Sequence, residues 1–271
     1  MEDFGVQGEA PSHPALLDWL ASEFLCSGWD IKGMQKQIVM SATYRQSSRI
    51  TRRQLELDPE NRWYGRGPRF RLSAHALRDQ ALALSGLLEE RIGGPSVSPY
   101  QPDKLWVDMS NMKYKPSKGA DLFRRSLYTL WKRTVAPPSM AVMDAADREV
   151  CSINRSRTNT PLQALTLLNE KAFFEAARNL GERILKQGGS QPVVFGFRTV
   201  TGRYPRAEEE RVLRHAYAGY LESLERHPDQ AKEMIRVGES KVAEELDPVE
   251  YAAATVLANL LLNLDEVLTK Q

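Results

Sequence analysis

The densest run of side chains able to do chemistry lies between Asp144 and Thr160, reading Asp-Ala-Ala-Asp-Arg-Glu-Val-Cys-Ser-Ile-Asn-Arg-Ser-Arg-Thr-Asn-Thr. It ends at a helix start. Thr160 stands at the cap position, Pro161 at the first helical position and Gln163 completes a T-x-x-Q capping box. A helix start offers backbone N–H groups and partial positive charge. Arg148, Arg155 and Arg157 add planar forked donors beside Thr158, Asn159 and Thr160. Together these groups could hold a carboxylate, sulfate or phosphate, with Trp131 as an aromatic wall. The same segment supports a structural reading, in which Asp144, Asp147 and Glu149 neutralise the arginines and fix the loop.

Other chemistries find less support. Paired carboxylates could act as general acid and base in glycoside hydrolysis, but that needs a separation and a divergence of pKa that spacing does not supply. Cys151 has arginines nearby and no histidine near it in sequence to serve as base, so a packed thiol is the simpler reading. No His, Cys, Asp or Glu spacing matches a metal site, and no metal is expected. Between residues 45 and 71, eight arginines interleave with Trp63, Tyr64 and Phe70. That pattern suits single-stranded nucleic acid, yet Glu56, Asp58 and Glu60 interrupt it, which disfavours nucleic acid as a partner. His75 reads as a surface or capping residue in the first turn of a helix.

The elements that must position these groups are mostly helices. Ser12 before Pro14 predicts a first helix with Leu16, Leu17, Leu20 and Phe24 on one side and a stop at Gly28. Asp30 predicts the cap of a second, carrying Ile31, Met34, Ile38 and Ala42, so the pair reads as a helical hairpin. Ser73 opens a longer helix with Leu77, Ala81, Leu84 and Leu88, expected to run to Gly93-Gly94-Pro95. A long loop follows to Gly119, then β-forming residues predict a short strand near 124–134. After Thr160, Leu162, Leu165 and Leu168 are expected to face inward, and Phe173, Ala176, Leu180 and Ile184 extend the stripe. Helices over 193–200, 207–226 and 249–264 complete a small bundle. The predicted fold class is therefore mainly α, an irregular helical bundle with long loops. It forms a single domain over 1–271, with a motif-bearing part at 1–190 and a C-terminal helical part at 191–271.

Composition agrees with a packed globular chain: 42% of the 271 residues are hydrophobic and 27% charged. The formal net charge of +2 gives no global field toward nucleic acid or an anionic membrane, so any electrostatic function must be local. No apolar run approaches membrane-spanning length, and the first residues lack the basic and apolar regions of a signal peptide. Cys26 and Cys151 have no haem-attachment or zinc spacing.

Longer strings carry a resemblance. Asp3-Phe4-Gly5, Ser12 to Ala21, Ser41 to Ser48, Gly93 to Val97, Arg124 to Arg133, Asp147 to Cys151, Arg157 to Asn169 and Asn263 to Thr269 together cover nearly the whole chain. They resemble the C-terminal domain of unknown function, the 1553 type, of large planctomycete and verrucomicrobial proteins, here shortened at its N-terminus. The resemblance implies an extracytoplasmic setting, a cytochrome-c-like domain elsewhere in the parent protein, and hence haem c there and no cofactor in this chain. It also implies a role as accessory or catalytic platform acting on anionic or sulfated carbohydrate, with other domains of the parent protein as partners. The alternatives are a redox enzyme domain acting on sugars and a structural or protein-interaction module. His75 stands where the family commonly has an acidic residue, and Glu170-Lys171 where it usually has Asp-Pro.

Overall fold

A computed structural model describes residues 5–102, 105–106, 114–132, 134–146 and 156–270. The fold is mainly α: twelve α-helices and one two-stranded ladder among the described residues. No helix among them is long and apolar enough to cross a membrane. The chain divides into two compact units, one of residues 1–71, 152–154 and 269–271, the other of 72–151 and 155–268.

The first unit contains α1 (Pro14–Cys26), α2 (Ile31–Met40), α3 (Arg52–Leu57) and an antiparallel ladder of β1 (Phe70–Arg71) with β2 (Thr269–Lys270). The residue capping α1 is His13, not Ser12; its side chain makes no capping bond and instead meets the Ser12 hydroxyl, while Pro14 sets the first turn. Asp30 caps α2 as expected, accepting from the Gly33 N–H at 3.0 Å. A further helix, α3, forms inside the arginine-rich segment, where Thr51 and Gln54 make a full capping box. Leu20, Phe24 and Met34 are half-buried, whereas Leu16, Leu17, Ile31 and Ile38 are exposed. The hairpin uses only part of its apolar surface.

The second unit holds the core. Its helices are α4 (Ala74–Ser85), α5 (Pro138–Val142), α6 (Pro161–Asn169), α7 (Lys171–Gln187), α8 (Pro192–Thr201), α9 (Ala207–Glu225), α10 (Pro228–Met234), α11 (Pro248–Leu262) and α12 (Asp265–Leu268). α7 and α11 pack along their lengths, with Leu180, Ile184, Leu257 and Leu261 fully buried between them and α8. Burying each such side chain stabilises the unit by roughly 1.5–3 kcal/mol. The approach is close because Gly181 of α7 lies against the α11 backbone: a Cβ there would sit 2.8 Å from the Thr255 nitrogen. A second cluster joins α4, α5, α6 and α7 through Leu77, Met140, Leu167 and Phe173.

Three expectations change here. Ser73 does cap α4, but Gly86, at φ +80°, ends it one turn after Leu82, so Leu88 lies beyond the helix. The strand expected near 124–134 is absent among the described residues; 3-10 turns at Gly119–Phe123 and Ser126–Tyr128 alternate with isolated bridges from Arg124, Thr129 and Lys132. Polar groups of α4 claim this backbone: buried Arg78 donates to the Leu122 and Arg124 carbonyls, and half-buried Asp79 accepts from the Ser126 N–H. Lastly, α6 faces the other way. Gln163 and Leu167 are its buried residues, while Leu162, Leu165 and Leu168 are 56%, 57% and 41% exposed.

Candidate functional site

The loop before α6 is built around Gln163, a side chain only 2% exposed. Its amide oxygen accepts from the Thr160 N–H at 3.0 Å and Thr160 Oγ1 accepts from the Gln163 N–H, completing the capping box. Its Nε2 donates to the Val142 carbonyl at 2.9 Å, to Thr158 Oγ1 at 2.8 Å and to Asp144 at 3.2 Å. Asp144 ends the α5 turn in the left-handed region at φ +59°, a conformation that Asp tolerates better than most residues. From there its carboxylate accepts from the Thr158 N–H at 2.7 Å and from the Thr158 hydroxyl at 2.9 Å.

The structure thus brings Asp144, Thr158 and Thr160 together through Gln163. Arg157 and Asn159 lie on the same loop, exposed along with its neighbours 156–160. Pro161 has no N–H, and that of Gln163 is taken by Thr160, so an anion at this helix start would depend chiefly on the arginines. Arg148, Arg155, Asp147, Glu149 and Cys151 lie outside the described residues. Trp131 is half-buried on the cluster of Met140 and Met143, and its ring stacks on His75 with centroids 6.4 Å apart. The residue sequence reasoning missed is Gln163 as hub. The T-x-x-Q spacing signalled its cap and gave no hint of the bonds to Val142 and Asp144. Among the described residues no group of three or more His, Cys, Asp and Glu side chains is placed to hold a metal ion.

The arginine-rich segment of the first unit is only partly paired. Arg66 donates to the Asp58 and Pro59 carbonyls, Arg62 meets Glu9, and Arg52 meets Glu56 at 3.0 Å. Asp58 caps the Arg62 and Trp63 N–H groups at 2.8 Å. Those two bonds, with Arg66 and Arg62 nearby, hold its carboxyl below the usual value against the opposing effect of desolvation. Tyr64 stacks on His13.

The model of a family described as a protein of unknown function, DUF1553, matches residues 1–217. The chain belongs to that family. The matched range takes in the whole arginine-rich segment, the Asp144–Thr160 loop and α1 through α8, and ends inside α9. No curated protein and no solved structure matches the chain.

Proposed function

We propose that this DUF1553 chain is a helical interaction module whose first unit docks onto another protein through the apolar sides of α1 and α2. One observation carries the reading: among the described residues of that unit no hydrophobic side chain is buried, while Leu17, Trp19, Trp29 and Met40 are 55%, 47%, 65% and 61% exposed. Apolar surface left in water forfeits about 25 cal/mol per Å², and contiguous patches of it mark interaction sites. The resemblance to planctomycete-type proteins with a haem-c domain supports an extracytoplasmic setting for that docking. A photo-cross-linking residue in place of Trp19, expressed in the producing cell, tests this. A discrete product is expected there and none from the same residue in place of Tyr204, which is 66% exposed on the second unit. Equal products from both positions, or none from Trp19, would remove the proposal.

A second reading is an anionic, sulfated carbohydrate at the loop before α6. It rests on residues 156–160 of that loop, Arg157 among them, being exposed while the backbone is pinned by Asp144 and Gln163.

A further inference from the structure

We infer that the occupant of the docking surface is an acidic amphipathic helix; the inference rests on the interaction reading above and adds the chemistry of the partner. The observation is the charge carried by the stretch of chain that bears part of the uncovered apolar surface. From α2 through α3, Lys32, Lys36, Arg45, Arg49 and Arg53 are all exposed, and none has an ion-pair partner among the described residues. Within 31–57 the single carboxylate is Glu56, already held by Arg52.

The same stretch carries exposed Ile38, Met40, Ile50 and Leu57, at 42%, 61%, 47% and 59%. A stretch of chain that mixes exposed apolar side chains with unanswered cations calls for a partner with an apolar stripe flanked by carboxylates. A helix supplies that shape, because two contacting helices such as α1 and α2 leave a side that a third helix closes. An acidic helix also answers the cations without a second structural element.

Two other anionic surfaces fit less well. An anionic membrane would present its charge to α1, which carries Asp18 and Glu23 with no cation, as well as to the cations of residues 32–53, whereas a helix with one acidic side need turn that side only toward the cations. Nucleic acid binds through phosphate contacts and stacking, which leaves exposed Ile50, Leu57 and Met40 without a role, and one face of Tyr64 is already covered by His13.

The test uses the full chain and a fluorescent three-heptad peptide with leucines on one side and glutamates on the other, read by anisotropy. Its counterpart has lysine at every glutamate. The acidic peptide should bind at least about tenfold more tightly, less so as salt rises. The combined change Arg45→Glu, Arg49→Glu and Arg53→Glu should abolish that preference with circular dichroism and melting midpoint unchanged, since all three side chains are exposed. Leu17→Gln should weaken both peptides alike. Equal binding of the two peptides to the wild type would overturn the acidic occupant while leaving the docking surface intact. Binding of neither peptide, with a Trp19 cross-link still formed, would overturn the helix but not the interaction reading; loss of both would remove both. Tighter binding to phosphatidylglycerol vesicles or to polyuridine than to the acidic peptide would also overturn the inference.

Discussion

The guanidinium of Arg78 donates at 2.8 Å to the backbone carbonyl of Arg124, whose own guanidinium donates to the carbonyls of Arg91, Gly93 and Pro95. Both side chains are buried, Arg124 completely, and Arg124 also lies over the Tyr128 ring at 3.7 Å. Two arginines in series thus tie a helix to one loop and that loop to the next. A forked cation suits this task because its several N–H groups reach separate carbonyls at fixed angles.

Arg78→Met should therefore destabilise the second unit by about 3 kcal/mol or more, since it strands the Leu122 and Arg124 carbonyls in the interior at about 1–3 kcal/mol each. Arg78→Lys should recover little, because a compact ammonium does not span both acceptors. Urea denaturation of the three proteins measures it; a lysine variant as stable as wild type would contradict the relay.

Glu175 and Gly238 give a second prediction. Buried Glu175 accepts from the Glu239 and Ser240 N–H groups at 2.7 and 2.6 Å and from the Tyr100 hydroxyl at 2.8 Å. Burial and that bond push the Tyr100 phenol well above its ordinary value. Gly238 turns at φ +102°, and a Cβ on it would lie 2.2 Å from Glu175 Cδ. Gly238→Ala should lower the melting midpoint by several degrees, more than Gly189→Ala, where φ is also positive but the space is open. Equal effects at the two glycines would mean that backbone strain alone matters.

The acid limb of stability should depend on Glu209. Arg203 grips it with two bonds at 2.8 and 2.9 Å, which, with the Arg206 N–H, lowers its pKa from an ordinary 4.5 to about 2. A depressed carboxylate contributes stability that is full above the unfolded value and lost as pH falls through the folded one. Melting midpoints should therefore drop between about pH 4.5 and 2 in the wild type, and drop less in Glu209→Gln. Parallel curves for the two proteins would assign the acid sensitivity to other groups.

Arg157→Ala should reduce sulfate or sulfated-sugar binding by about tenfold in calorimetry, if the loop before α6 is a site. A wild type that binds neither ligand would remove the anion reading, and a destabilised apo variant would give Arg157 a structural role instead.

Helix identity was legible because caps and stripes are local. Asp30, Ser73, Thr160 and Asp247 each accept from the N–H groups their positions imply, and Phe173, Ala176, Leu180 and Ile184 are all buried. The cap of α7 is Glu170, which accepts from the Ala172 and Phe173 N–H groups. Periodicity shows that Leu162, Leu165 and Leu168 share a side, but only tertiary packing decides whether that side is covered, and here it is not. The buried arginines were hidden for the opposite reason: arginine reads as surface. A signal was present, since Arg78 sits between Leu77 and Ala81 and Arg178 between Ala177 and Leu180 on buried stripes.

Apart from residues 152–154, which cluster with the first unit, the stretch 72–268 makes up the second unit, and its ends meet. The Leu72 N–H donates to the Leu268 carbonyl at 2.9 Å, so a stretch of chain from 72 to 268 begins and finishes at one hydrogen bond. A segment with its ends together is a cassette: it can be lifted out of one polypeptide and set into a loop of another without stretching either. Expressed as Leu72–Leu268, it should give a helical spectrum and one cooperative melt, and a permuted version joined at these ends and opened at Gly189 should fold to the same state.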